Sequence, residues 1–255
     1  MSFWIAILLG IVQGITEFLP ISSSGHLLIL EYIFGVQVDS LLLNVLLHVA
    51  TLLAVIWFYR KTVWYMIKNP LCRMSKYLLV ATLPAVIFVV LFGVLLGDFL
   101  SSSEFVGIGF IITAIFLGLA QFIVTRNKKP TPLNWKGVLA MGFSQALALF
   151  PGISRSGTTF AFGVTAGMER NTALDFSFLM SIPIIIASLV YELAFSHSAI
   201  ATTSTHIMSL IVSFVFAFIT ALLGLKIMQK LVKKISFWWF VPYLIVMGVV
   251  IIIWM

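Results

Sequence analysis

FLPISSSGH (residues 18–26) and FPGISRSGTT (residues 150–159) each break an otherwise apolar run in its middle. Proline removes a backbone donor and clashes with the preceding turn, and Gly and Ser favour turns, so neither run can be one straight helix. Inside a bilayer, broken backbone is tolerated only where protein buries it or where it lines a wet cavity. Residues 1–35 and 137–167 are therefore each expected to form a helix-loop-helix hairpin that enters and leaves by one face.

The composition places these hairpins in a membrane. The 255 residues are 62% hydrophobic and 9% charged, with a mean hydropathy of +1.17, whereas about a quarter of the residues of a soluble protein are charged. A soluble enzyme is excluded. Each membrane-crossing helix needs ~20 mostly apolar residues, and such runs lie near 41–59, 77–97, 105–125, 175–195, 207–228 and 238–255. The expected fold is an all-α polytopic membrane protein of six spans and two re-entrant hairpins, a single integral membrane domain over residues 1–255. The opening MSFWIAILLG has no basic leader and no small-residue cleavage site, so it is expected to stay with the protein. Cys72 is the single cysteine, which excludes an internal disulfide.

The net charge of +7 reads as a topology signal. Thirteen of the fifteen basic residues fall in three short stretches: Arg60, Lys61, Lys68, Arg73 and Lys76; Arg126, Lys128, Lys129 and Lys136; Lys226, Lys230, Lys233 and Lys234. Short loops rich in Lys and Arg stay on the cytoplasmic side, and their bases attract anionic lipid headgroups. No basic stretch interleaves aromatics as a strand-binding groove does, so membrane lipids are expected partners and nucleic acid is not. Residues 36–40 and 97–104 carry acids without bases, and residues 195–206 carry His197 and His206 but no Lys or Arg, which places these stretches outside. Alternation of sides then puts both termini outside, with the first hairpin dipping in from the outer face and the second from the inner face. Trp4, Trp57, Trp64, Trp135, Trp238, Trp239 and Trp254 fall near the expected interfaces, where an aromatic belt belongs.

An internal repeat accounts for the opposed hairpins. A gapless shift of 132 residues aligns Gly10 with Gly142, Gln13 with Gln145, Phe18 with Phe150, Ile21 with Ile153, Ser22 with Ser154, Ser24 with Ser156 and Gly25 with Gly157. Each unit, residues 1–125 and 137–255, is a hairpin plus three spans, and an odd number of spans inverts the second copy. Inverted repeats with discontinuous helices meeting near the midplane are a common transporter plan.

The two breaks differ in chemistry: Glu17, Ser23 and His26 in the first stand where Leu149, Arg155 and Thr158 stand in the second. An ionisable group at membrane depth costs roughly 2.5–3.5 kcal/mol even on lenient insertion scales, and is a functional-site hypothesis by default. Gln13 and Glu17, four apart, share a helical face. His26 suits proton transfer near neutral pH, and a carboxylate such as Glu17 beside it would orient the ring. Arg155 offers a planar fork of donors that matches phosphate oxygens. Hydroxyls of Ser154, Ser156, Thr158 and Thr159, with Ser22, Ser23 and Ser24, add donors, as do backbone N–H groups where the second half-helices start. The expected site is a phosphate site beside a proton-transfer pair, with Glu17, His26, Arg155 and Ser23 in catalysis and Gln13 and the remaining hydroxyls in substrate binding. Plainer roles compete: Glu17 and Arg155 as a structural ion pair, and the serines as partners for freed backbone groups. His48, with Asn44 on the same helical face, either lines the cavity or is a hydrogen-bonded core residue. Asp175 and Arg170 are expected to anchor the second hairpin at the inner interface, and His197 and His206 to be solvated.

At these two breaks the chain closely resembles the undecaprenyl-diphosphate phosphatase family, also called the bacitracin-resistance proteins. The resemblance covers the whole chain and rests on QGITEFLPISSSGHL (13–27), HVATLLAVIWFYR (48–60), QALALFPGISRSGTT (145–159) and DFSFLMSIP (175–183). The family's acidic motif falls on Gln13 and Glu17, and its arginine signature on residues 151–159. The resemblance implies removal of the terminal phosphate from a C55 polyprenyl diphosphate, which regenerates the monophosphate carrier of cell-wall synthesis and confers bacitracin resistance. It further implies the bacterial cytoplasmic membrane and a site open to the outer face. Position 13 is Gln where Glu is more familiar, which weakens a model of two carboxylates holding a divalent cation such as Mg or Ca; Gln13 and Glu17 remain the candidate ligands. Ser24 stands where many members have Thr, which keeps the hydroxyl.

The sequence leaves the nucleophile open between water, Ser23 and His26, and leaves dimerisation open. A different class of function is also compatible with the repeat, namely transport of polyprenyl phosphate through the same anion site without cleavage.

Overall fold

The computed structural model describes residues 2–35, 41–100, 105–126, 129–195, 207–234 and 236–254. The polar stretches 36–40, 101–104 and 196–206, and with them His197, His206 and Lys128, lie outside the described residues.

Both broken segments are pairs of short helices. The first comprises α1 (Phe3–Phe18) and α2 (Ser23–Phe34). Leu19, forced out of the helical region by the following Pro20, is extended at ψ 148° and ends α1. Ser22 then caps α2, its Oγ accepting from the Gly25 N–H at 3.4 Å. Downstream of the long helices α3 (Leu41–Phe58), α5 (Arg73–Leu100) and α6 (Val106–Arg126) and the short α4 (Arg60–Lys68) comes the second broken segment, α7 (Trp135–Leu147) and α8 (Arg155–Thr165). Asn134 caps α7 at the Gly137 N–H (3.0 Å), and Ser154 caps α8 at the Gly157 N–H (3.2 Å). The four half-helices hold 16, 12, 13 and 11 residues, about 16–24 Å each, short of the ~30 Å hydrocarbon core. Backbone hydrogen bonds from Thr131 N–H to Gly167 O (2.8 Å) and from Glu169 N–H to Thr131 O (2.9 Å) join the chain just before α7 to the chain just after α8. The second segment thus begins and ends at one place.

The rest is long helix. After α8 run α9 (Arg170–Phe195), α10 (Ile207–Lys234), a 3-10 turn at Phe237–Trp239 and α11 (Phe240–Trp254). Five helices among the described residues are long and apolar enough to cross a membrane, and α3 with α4 makes a sixth candidate bent by 83°. The chain is a polytopic membrane protein, and its helices fall where the sequence places the six spans. Large apolar side chains such as Leu79, Leu83 and Val90 on α5 and Val246 and Ile253 on α11 are exposed, while Gln13, Thr113, Gln145 and Thr158 are buried. That inside-out distribution suits a lipid solvent and not water.

The first basic stretch, expected as a loop, is largely the helix α4. It turns away from α3 by 83° at Tyr59, and Arg60 and Lys68 lie over the rings of Trp57 and Trp64 at 5.6 and 5.2 Å. A short helix with bases on one side and Trp64, Tyr65 and Ile67 exposed lies well along an interface.

Helices meet where small residues let them. α1 packs on α10, α7 on α5, α6 on α11 and α8, and α3 on both α9 and α10. Gly10 and Gly14, four apart, bring α1 onto α10 so closely that a Cβ on Gly14 would lie 2.7 Å from the Ala221 nitrogen.

Asp175 and Arg170 do not serve the second hairpin as expected. Asp175 Oδ1 accepts from Tyr59 Oη at 2.6 Å and from Gln229 Nε2 at 2.8 Å, which ties α9 to the ends of α3 and α10. Arg170 donates to Gln121 Oε1 at 3.4 Å and lies 4.6 Å over the Phe237 ring, which ties α9 to α6 and the 3-10 turn. Tyr59→Phe leaves Asp175 with one donor fewer, and we expect a loss of about 1–2 kcal/mol of stability, read as a lower midpoint of thermal unfolding in detergent; an unchanged midpoint would show that the clasp contributes nothing.

Candidate active site

The two breaks abut. Ser156 Oγ donates to the Leu19 carbonyl at 3.0 Å, and the α carbon of Gly157 packs closely on Pro20, where a Cβ would lie 3.0 Å from the Pro20 Cβ. From α6, Thr113 Oγ1 accepts the Ser154 N–H at 3.0 Å. Ser22 adopts φ 66°, ψ 101°, the only positive φ at a non-glycine among the described residues. Such backbone costs of order 1–3 kcal/mol and persists only when surroundings over-determine it. Here the Ser22 Oγ caps α2, and the Ser22 carbonyl accepts from His26 Nδ1 at 2.7 Å.

Glu17 from the first segment and Arg155 from the second form an ion pair, Arg155 Nη2 with Glu17 Oε1. The other carboxylate oxygen accepts from Ser23 Oγ at 2.6 Å and from Gln13 Nε2 at 3.2 Å. Glu17 is only 8% exposed, and Arg155 Nη1 is buried with no protein partner. A guanidinium nitrogen so placed is a free donor at a buried site.

Beside this pair lies a cavity of about 210 Å³. Glu17, Arg155, Ser22, Ser23, Ser24, Ser154, His48 and Ser188 give it a polar side, and Ala148, Leu149, Ile153, Ile184, Ile185 and Leu189 an apolar one. A lining that combines charged and hydroxyl groups with aliphatic side chains suits a ligand with an anionic head on a hydrocarbon chain.

The structure divides the residues expected from the sequence. Glu17, Arg155, Ser22, Ser23, Ser24 and Ser154 come together around the cavity. Gln13 stands behind Glu17 and holds it. Ser156 is spent on the Leu19 carbonyl, Thr159 on the Arg155 carbonyl (2.8 Å) and Ser177 (2.6 Å), and Thr158 is fully buried away from the cavity. The first two hydroxyls hold the breaks in shape, the Thr158 Oγ1 is buried without a protein partner, and none of the three lines the cavity. His26 is not brought onto Glu17. Its Nδ1–H goes to the Ser22 carbonyl, its Nε2 accepts from Tyr243 Oη, and the ring stacks on Tyr243 at 5.8 Å, 11° between planes. The imidazole that lines the cavity is that of His48.

Nor do Gln13 and Glu17 fit a resident divalent cation. Glu17 is the one carboxylate lining the cavity, both its oxygens are engaged, and the guanidinium beside it opposes a second positive charge; the Gln13 Oε1 is enclosed away from the cavity.

Three supporting residues are not among those expected from the sequence. Thr113 and Tyr243 stand 41 and 217 residues from their partners, and nothing local marks them. Ser177 lies within DFSFLMSIP, where a hydroxyl in a span was the available clue.

Comparison with known proteins points to one family. The model of the family described as "Bacitracin resistance protein BacA" matches residues 6–250. The chain is 36% identical over 254 residues to undecaprenyl-diphosphatase 4 of Bacillus thuringiensis (strain Al Hakam), covering 99% of this chain and 97% of the relative. It is 34% identical over 254 residues to the undecaprenyl-diphosphatase of Carboxydothermus hydrogenoformans, with 99% and 97% covered, and 32% identical over 271 positions to that of Desulfatibacillum aliphaticivorans, with 97% and 96% covered. These names give the transport reading no support. With the match running almost end to end and both breaks inside it, the chain belongs to the bacitracin resistance protein BacA family.

Proposed function

We propose that the chain hydrolyses undecaprenyl diphosphate to undecaprenyl phosphate and inorganic phosphate. The observation that carries this reading is the half-buried Arg155, its Nη2 on Glu17 and its buried Nη1 unpartnered, in the lining of a cavity that also includes aliphatic side chains. Arg155 and the α8 N-terminus, with Ser154, hold the diphosphate and meet the charge that builds on the transferring phosphoryl group. Ser23 is the nucleophile. Glu17 receives its proton as the Ser23 Oγ–P bond forms and the P–O bond to the lipid phosphate breaks; water then attacks the phosphoserine, inorganic phosphate leaves, and the proton returns to Ser23. The Ser23–Glu17 hydrogen bond of 2.6 Å supports this order over attack by His26, whose ring is occupied elsewhere. His26 is a positioning residue that holds the Ser22 carbonyl, and hence the strained first break, against α11.

The same reading covers topology. The two broken segments are re-entrant hairpins of an inverted repeat: α1 and α7 begin 132 residues apart, as do α2 and α8, and the exchanged packing of α1 on α10 and α7 on α5 is what such a repeat requires. The site belongs at the outer face of a bacterial cytoplasmic membrane, with both termini outside.

Purified protein in detergent, given undecaprenyl diphosphate, should release one phosphate per lipid, and single-turnover acid quench should trap a phosphoserine that Ser23→Ala abolishes. Absence of phosphate release would end the hydrolase reading; release without a trapped intermediate would transfer the attack to water.

A further inference from the structure

We propose that the chain binds the headgroup of an anionic phospholipid where the second broken segment begins and ends, between Arg73 and Lys136. This site is separate from the cavity at the breaks and independent of the hydrolase reading.

A second cavity, about 840 Å³ against about 210 Å³ at the breaks, lies where α5 and α7 begin. Arg73 and Met74 of α5, Lys136 of α7, Leu133 before it and Ala166 at the end of α8 line it. Arg73 is fixed there. Its Nε donates to Tyr77 Oη at 2.8 Å, its Nη2 donates to the Leu133 carbonyl at 3.2 Å, and its guanidinium lies 5.0 Å over the Tyr77 ring. These partners are neutral, so they orient the charge without cancelling it. Lys136 has no partner among the described residues, where Glu17 with Arg155 is the one salt bridge. Glu169 is brought to the same place by its backbone bond to Thr131, but it does not line the cavity, and its Oε2 accepts from Thr172 at 3.3 Å. The side chain of Asn134 is spent within the loop, Nδ2 on Thr131 Oγ1 at 2.8 Å and Oδ1 on the Gly137 N–H. What the cavity offers a ligand is two uncancelled cations beside the positive end of the α7 dipole.

An apolar path leads away from these cations, which selects a lipid over a free anion. Helices α5 and α7 run side by side from the cavity and meet at Ala81 and Gly142, where a Cβ on the glycine would lie 2.9 Å from the Ala81 α carbon. Trp135, Leu139, Phe143 and Leu147, four apart and so on one face of α7, are exposed. The row starts one residue before Lys136. On α5, Leu79, Leu83 and Ile87 repeat the pattern. A headgroup between Arg73 and Lys136 lays its acyl chains along these rows. The other basic stretches attract anionic lipid diffusely, whereas a basic pocket between spanning helices holds a particular headgroup.

Native mass spectrometry of the purified full chain in neutral detergent, with phosphatidylglycerol and phosphatidylcholine in equal amounts, tests this. At one lipid per chain, phosphatidylglycerol should be favoured about 25-fold, on the order of fivefold for each base. Arg73→Gln and Lys136→Gln together should bring the ratio near one. Lys61→Gln with Lys230→Gln removes two exposed bases elsewhere and should leave the ratio within about twofold of its original value. An equal fall in that matched pair would make the attraction diffuse and overturn the proposal. If loss of Arg73 prevents folding, Lys136→Gln alone decides, since it has no bond to lose: the ratio should fall about fivefold, and an unchanged ratio would remove Lys136 from any site. Inorganic phosphate should not displace the lipid at millimolar concentration; displacement would mean a site for a free anion. Hydrolysis plays no part in these measurements, so this proposal and the hydrolase reading can each fail alone.

Discussion

Arg155→Ala is expected to lower kcat/KM for phosphate release by about 10³-fold or more, near the upper end for loss of one preorganised charge-stabilising donor. Arg155→Lys keeps the charge but loses the planar fork, and one ammonium cannot serve Glu17 and a phosphate oxygen together, so a loss of about 10–100-fold is expected. Arg155→Ala also strands a buried carboxylate, which by itself destabilises by about 3–5 kcal/mol. Activity and stability therefore have to be separated. The Glu17→Gln, Arg155→Met double variant removes both charges at once, and pairs replaced together are often neutral for stability. If Glu17 and Arg155 are only a structural ion pair, the double variant regains both its unfolding midpoint and its activity; the proposed chemistry requires that it regain the midpoint and remain inactive.

Gly152→Ala is expected to disable the second break by a different route. Gly152 has φ +80°, where an L side chain is strained, and a Cβ there would lie 2.7–2.8 Å from the Val106 carbonyl carbon and α carbon. Backbone of a packed helix cannot yield as a flexible side chain would, so the loop must move. The next three residues, Ile153, Ser154 and Arg155, all line the cavity. A loss of about 3 kcal/mol or more is expected from strain and overlap together, visible as a depressed unfolding midpoint and as loss of phosphate release. A variant with wild-type midpoint and turnover would mean that the approach of this loop to α6 is not needed.

Much of the fold was legible because lipid imposes strict rules on sequence. Apolar runs of spanning length, bases kept to a few loops and Pro/Gly/Ser interruptions at residues 18–26 and 150–159 each answer to a single constraint that acts locally along the chain. The region around Arg60 was legible only as a place where the chain leaves hydrocarbon. Whether it does so as a loop or as the helix α4 depends on an interface that periodicity in nine residues hardly registers.

The site was legible to the level of its elements and less so to the level of its atoms. Glu17 and Arg155 announce themselves, since a charge at membrane depth needs a partner. Serines, threonines and histidines do not, because each has local backbone partners that compete with a ligand. Ser156 and Thr159 turned to carbonyls, while Ser23, chemically alike, turned to Glu17.

The sequence by itself therefore determined that this is a polytopic membrane protein with two broken segments, and that its buried charges sit at those breaks; burial of charge and interruption of helix are costs that each residue carries wherever it is placed. Which hydroxyls face the cavity, and that His48 lines it while His26 is held by Tyr243, was decided only in three dimensions. Those choices depend on contacts between residues up to 217 positions apart, and a side chain with several acceptable partners is settled by which one the packed helices bring within hydrogen-bond reach.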